Sequence, residues 1–288
     1  MGKFRRYPAG ARVGEDLTLV KALVNARGRH PVYVGWLHSA WAPVVCKVFR
    51  SRSDAVREFE ALSACAHPNV VQTFGVYEPD LMLMEFLEGP TLRQTIRDAK
   101  RRMSIADVLR TVVPLGAALA KAHLAGYLHL DVKPENVMIV DERPVLFDFG
   151  TARRLDARRP SKTQGTDAYL SPEERAVQPV GPAADVFSLG VVLYELLTGE
   201  LPFGFKGQDP LAGPVRAFRP GVSSELERLT LTCLAADPAE RPPLAQLLPA
   251  LNRQIRTGPR MWPDDLQLHG GRPSPEPPRE VARALLAA

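Results

Sequence analysis

Apolar residues along this chain fall into two regimes. Between Leu17 and Phe86 they come in short runs, LTLVKAL, PVYVGWL, PVVCKVF and LMLMEF, broken once by SDAVREFEALSACA, where the apolar spacing is helical. Short apolar runs of this kind fit a pleated, half-buried sheet. Residues 17–86 therefore predict a small lobe of five or so strands and one helix. Beyond Glu88-Gly89-Pro90 the runs lengthen into amphipathic helices such as IADVLRTVVPLGAALAKAHLAG and ADVFSLGVVLYELLTG. Their period is that of a helix face packed on a core. After about Ile255 the chain turns proline-rich and polar (TGPRMWPDD, GGRPSPEPPRE), a composition that cannot bury enough surface to order itself. The expected organisation is an N-terminal extension (1–16), a β-rich lobe (17–86), a mainly helical lobe (87–255) and a flexible tail (256–288) in which Trp262 is the residue able to dock. This is an α+β chain of two lobes, without internal repeats.

Composition narrows the picture. With 288 residues, 45% of them hydrophobic, there is material for a large core, and 37 basic against 32 acidic residues give only +5. So small an excess is the charge of a solvated surface, and nucleic acid is not an expected partner. Cys46, Cys65 and Cys233 are scattered without CxxC spacing, which suggests neither a disulfide framework nor a zinc site and fits a reduced cytoplasm. MGKFRRYPAG leads into no apolar signal segment, and the longest apolar run, VFSLGVVLYELL, is too short for a bilayer and carries Glu195. No membrane partner is expected.

The chemistry concentrates in HLDVKPENVMI (His129–Ile139) and in PVLFDFG, a strand that ends in a second acid, Asp148. Moving a γ-phosphoryl group needs a carboxylate to orient and deprotonate the attacking hydroxyl, a cation near the phosphoryl, and hard oxygen ligands for Mg²⁺. Asp131 suits the base. Lys133 suits the cation, and Asn136 with Asp148 suits the metal.

HLDVKPENVMI, DFG, GTDAYLSPEE (from Gly165) and DVFSLGVVLYELLTGELPF (from Asp185), in this order and spacing, resemble the protein kinase fold, most closely the bacterial serine/threonine kinases of the eukaryotic type. The resemblance runs from about Leu17 to Leu251. It implies ATP and Mg²⁺ (or Mn²⁺) as cofactors and Ser/Thr hydroxyls of proteins as substrates. It also implies roles in the β-rich lobe. VVCKVF assigns Lys47 to the α/β-phosphates, and its partner is Glu58 rather than Glu60, because Glu58 stands nine residues before the histidine of His67-Pro68-Asn69. LMLMEFLEG corresponds to the hinge between lobes, with Met84 at the back-pocket position, adenine bonded to the backbone of Glu85 and Leu87, and Val32, Val45 and Met138 as apolar walls. Val45 stands where the family usually has alanine. Thr166 is the threonine that bonds the catalytic acid and lysine, Glu173 pairs with Arg241, and Asp185 braces the catalytic loop.

Two departures stand out. Counted back from Lys47, the glycine-rich loop falls on NARGRHPV, so Asn25, Arg27 and His30 take the three glycine positions and only Gly28 remains, off register. Asn and His tolerate a left-handed backbone better than most residues, and Arg27, Arg29 and His30 are expected to bring positive charge over the triphosphate in place of backbone amides. The alternative is a pseudokinase scaffold with weak or no ATP turnover. Secondly, Leu130 occupies the position before the catalytic acid where many kinases carry arginine. A leucine there removes the charge that an activation-segment phosphate would balance.

Overall fold

In the computed structural model, residues 4–24, 30–77, 79–99, 101–157, 165–207 and 209–255 are described. The Pro-rich tail, Asn25, Arg27, Gly28 and Arg29 of the loop, and Ser161 and Thr163 of the activation segment lie outside them. Backbone contacts divide the chain into two units. Residues up to Ala66 together with Val71–Glu88 form the first, and His67–Val70 with the described residues from Gly89 onward form the second.

The first unit contains strands β1 (Ala11–Val13), β2 (Leu17–Val24), β3 (Val32–Leu37) and β4 (Ala42–Val48), helix α1 (Arg52–Ala64), and strands β5 (Thr73–Tyr77) and β6 (Leu81–Glu85). The six strands make one antiparallel sheet in the order β1-β2-β3-β4-β6-β5. Alternation sorts its residues. Tyr33, Leu37, Val44, Cys46, Val48, Leu81 and Leu83 join Leu17 and Leu19 in a buried cluster on one face. Lys47 falls on the other face, its register partners being Val32 and Met82, with Val45 opposite Val34 and Met84. Helix α1 starts at Ser51, whose hydroxyl accepts the Asp54 amide. β1 lies within the stretch read as an N-terminal extension.

The second unit contains α2 (Leu92–Asp98), α3 (Ile105–Leu124), β7 (Tyr127–Leu128), β8 (Val137–Val140), β9 (Arg143–Leu146), β10 (Arg153–Arg154), α4 (Pro172–Arg175), α5 (Pro182–Thr198), α6 (Val215–Phe218), α7 (Ser224–Cys233) and α8 (Leu244–Asn252). Helix α5, expected to be amphipathic, is instead buried on nearly every side, so its apolar residues run all round it rather than in a stripe. It ends at Gly199 in the left-handed conformation. Gly190 lets α7 approach closely, since a Cβ there would lie 2.6 Å from that of Cys233. His67–Val70 belong with this unit because Leu146 donates its amide to the Asn69 carbonyl (2.8 Å) and the Asn69 amide group reaches the Pro144 carbonyl (2.7 Å).

Short helix α4 is held by a reciprocal cap. Ser171 accepts the Glu174 amide, and the Glu174 carboxylate accepts from the Ser171 amide (3.0 Å) and hydroxyl (2.8 Å). Burial is the main reason that the Glu174 carboxyl is pushed up to about 7. An acid whose folded pKa is raised stabilises the fold below its unfolded value and loses that contribution as pH rises through the folded one. Glu174→Gln, which keeps the accepting oxygen, is expected to be more stable than the parent protein by on the order of 1–3 kcal/mol at pH 8, the gain shrinking toward pH 5. Urea unfolding midpoints at the two pH values measure this.

Candidate active site

In the first unit, the Lys47 ammonium and the Glu58 carboxylate meet at 2.6 Å, both buried. Glu60 is exposed. Val32 and Val45 are half-buried on the Lys47 face of the sheet, where the valine at 45 takes more room than an alanine would. The Glu85 amide is donated to the Gln72 carbonyl (2.9 Å), so its share in binding an adenine would fall to its own carbonyl. Leu87 follows, half-buried. His30, expected to bring charge over the triphosphate, has a backbone partner in the sheet. Its Nδ1 lies 2.9 Å from the Val48 carbonyl, and because a carbonyl only accepts, the imidazole carries its proton there.

The second unit assembles the remaining groups around one carboxylate. Asp131 Oδ2 accepts from Lys133 Nζ (2.6 Å) and Asn136 Nδ2 (2.9 Å), while Oδ1 accepts from the Thr166 hydroxyl (3.2 Å). Lys133 Nζ also donates to Thr166 Oγ1 (2.6 Å). Lys133 thus ties the catalytic loop to the activation segment. Thr166 reaches it because Gly165 precedes it at φ +111°, where a Cβ would come within 2.9 Å of the Leu130 carbonyl. Met138 stands half-buried on β8, paired with Thr91.

The loop is suspended from Asp185, in the first turn of α5. Its carboxylate accepts the amides of His129 (2.9 Å) and Leu130 (2.8 Å) and sits 2.8 Å from His123 Nε2. Burial alone would raise its pKa, but the His123 hydrogen bond and charge outweigh it and hold the carboxyl below its ordinary value. Burial pushes the His129 imidazole down despite the acids around it. The ring is therefore neutral, and since Nδ1 accepts the Asp131 amide (3.3 Å), its proton is on Nε2.

The donors suit a hard divalent cation. Asn136 uses its amide nitrogen on both the carbonyl and the carboxylate of Asp131 (2.9 Å each), which turns its carbonyl oxygen outward as a ligand. Asp148 supplies a carboxylate on left-handed backbone, φ +62°. Two protein oxygens, with substrate phosphates and water completing the shell, is what Mg²⁺ takes. No group of three His, Cys, Asp or Glu side chains among the described residues forms a self-contained metal cage.

A model described as the protein kinase domain matches residues 44–250. The chain belongs to the protein kinase family. Serine/threonine-protein kinase PknL of Mycobacterium tuberculosis is 34% identical over 262 residues, covering 82% of this chain and 65% of PknL. PknB of the same organism is 32% identical over 251 residues, 79% of this chain and 37% of PknB. The chain thus spans less than two thirds of either relative. The crystal structure of the Mycobacterium tuberculosis PknI kinase domain is similar with a TM-score of 0.68 at 26% identity, covering 87% of this chain and 100% of that one. The fold is that of a protein kinase, with a curled antiparallel sheet in one unit and a helical second unit.

One cluster beside this kinase site escaped the sequence reading. Arg93 of α2 donates to Glu135 (2.7 Å), to Glu195 (2.6 Å) and to the Tyr169 hydroxyl (2.5 Å), and Tyr169 in turn donates to Glu195 (2.6 Å). Burial, and then the Glu195 charge, push the Tyr169 hydroxyl up. The available signal was Glu195 itself, an acid inside an apolar helix that has to be paired. Arg93→Met would leave that carboxylate buried with only the tyrosine. A loss of about 2–3 kcal/mol in urea unfolding is expected, less than for a fully buried pair because Arg93 is partly exposed. Adding Glu195→Gln should recover part of it.

Proposed function

We propose that this chain is an active serine/threonine protein kinase, transferring the γ-phosphoryl of ATP, with Mg²⁺, to Ser or Thr hydroxyls of proteins. The observation that carries this reading is the triangle of Asp131, Lys133 and Thr166, closed by contacts of 2.6 and 3.2 Å across two separate chain segments. A protein freed from catalysis has no chemical need to keep a carboxylate, an ammonium and a hydroxyl in that register. The intact Lys47–Glu58 pair supports the same reading.

Within it, an incoming hydroxyl donates to the Asp131 carboxylate, which orients it and takes its proton as the oxygen attacks. Lys133 offsets negative charge beside that carboxylate, and Thr166 fixes both side chains. Asn136 and Asp148 would hold Mg²⁺, whose charge neutralises phosphate oxygens. Lys47, aligned by Glu58, would hold the α/β-phosphates. A peptide rather than a small molecule is favoured by the fixed segment after Thr166, where Ser188 donates to the Tyr169 carbonyl (2.8 Å).

Leu130 adds a regulatory feature. Its side chain is buried with Leu128, Ala184 and Val180, with no cation to await a phosphate at that position. Arg154, in the activation segment, pairs with Asp156 (3.0 Å). Phosphorylation of Ser161 or Thr163 is therefore not needed for activity.

Two measurements test this. Asp131→Asn should cut Mg²⁺-dependent phosphorylation of a generic Ser/Thr peptide by about 10²–10⁴-fold with ATP affinity nearly kept, and equal rates would remove the enzymatic reading. Starting from protein shown by mass spectrometry to be phosphate-free, Ser161→Ala with Thr163→Ala should retain most activity. A hundredfold loss would show that another cation has taken the role of the missing arginine.

A further inference from the structure

The residues before β1 have no part in the site as described, yet they pack on the sheet that carries its lysine. Tyr7 donates its amide to the Tyr33 hydroxyl (3.0 Å), sets its ring edge-on to Tyr33 at 6.1 Å, and packs on the apolar cluster of the sheet. Three residues earlier, Phe4 meets the His30 ring at 4.8 Å, and His30 meets Phe49, also at 4.8 Å. The series is capped by cations at both ends. The Arg50 guanidinium lies 4.5 Å from the centre of the Phe4 ring, and the Lys47 ammonium lies 5.4 Å from that of Phe49. Phe49 is buried at 2% exposure, with its amide donated to the Asp80 carbonyl (2.8 Å).

Each contact is of a kind worth something in itself, because ring edges carry positive and ring faces negative charge. Their order along the chain gives them a direction. Residue 30 is where the loop returns to β3, and Phe49 is two residues past Lys47 on the same strand end. His30 joins these points through the Val48 carbonyl and the Phe49 ring, and Phe4 meets the same His30 ring.

We propose that Phe4–Tyr7 is a positioning strap, in which Phe4, acting through His30 and Phe49, fixes the loop return and the Lys47 ammonium for the phosphates of a nucleoside triphosphate. The proposal rests on the kinase reading above. Phe4 is a positioning residue, since it touches neither a substrate nor a reacting atom. A strap of this kind acts on phosphates and not on the base, which separates it from a general contribution to folding.

Isothermal titration with ATP plus Mg²⁺ and with adenosine, alongside steady-state kinetics on a generic Ser/Thr peptide, tests it. In Phe4→Ala the Kd and KM for ATP should rise about three- to tenfold, while kcat and the Kd for adenosine stay within about twofold. Phe4→Tyr, which keeps the ring, should restore parental values. His30→Ala should give the same ATP-selective loss, and serves as the test if Phe4→Ala does not fold. Unchanged ATP affinity in the variants, equal weakening of ATP and adenosine, or failure of Phe4→Tyr to restore affinity would each overturn the strap. Parent protein that binds no ATP would instead overturn the kinase reading, and the strap with it.

Discussion

The second unit's chemistry hangs on one buried carboxylate. Asp185 is fully enclosed, yet it stays ionised because two backbone amides and His123 converge on it. An unpaired carboxylate in that position would cost several kcal/mol, so the three donors are obligatory and not ornamental. What they secure is a backbone that would otherwise relax. Leu130 sits at φ +62°, a left-handed conformation costing a side-chain-bearing residue about 1–2 kcal/mol. With the amides of residues 129 and 130 held, Asp131 has no freedom to turn away from Lys133 and Asn136. The Asp131 carboxylate is thus oriented by a second buried carboxylate, acting through the backbone that leads into it.

A comparable logic holds in the first unit, where the Lys47–Glu58 pair is the buried charge to be satisfied. Two helical acids compete for that role in the sequence, and helix geometry separates them. Residue 58 lies on the buried side of α1, while residue 60, two positions on, has turned about 200° around the helix to the exposed side. The HPN spacing selects the same acid.

Much of this was legible in advance, and what was not has identifiable causes. Strands β2, β3, β4 and β6 could be read because each carries an apolar run that feeds the buried cluster. β5 does not alternate. All five of its residues are half-buried, and Gly75, at φ +142°, sits at a shift in its register with β6. β1, three residues long, is too short for a period to be recognised. The catalytic loop could be read because its groups lie within a few positions of one another, whereas Arg93 and Glu195 are 102 residues apart. Local sequence cannot reveal which distant cation neutralises a buried acid, only that one is required. His30 shows the same limit from the other side, since its contacts with a carbonyl and two aromatic rings are not announced by the register in which it stands.

The leucine beside the catalytic acid follows from the same balance. At left-handed φ the side chain of residue 130 is directed among Leu128, Ala184 and Val180, and it is 5% exposed. Burying a leucine side chain contributes about 1.5–3 kcal/mol, which offsets the strain of its own backbone. An arginine there would meet apolar neighbours and would have to be compensated by an anion from elsewhere, with the loop unsettled until that anion arrived. Leucine makes the loop self-sufficient. The position therefore exchanges a charge that can be switched for packing that cannot.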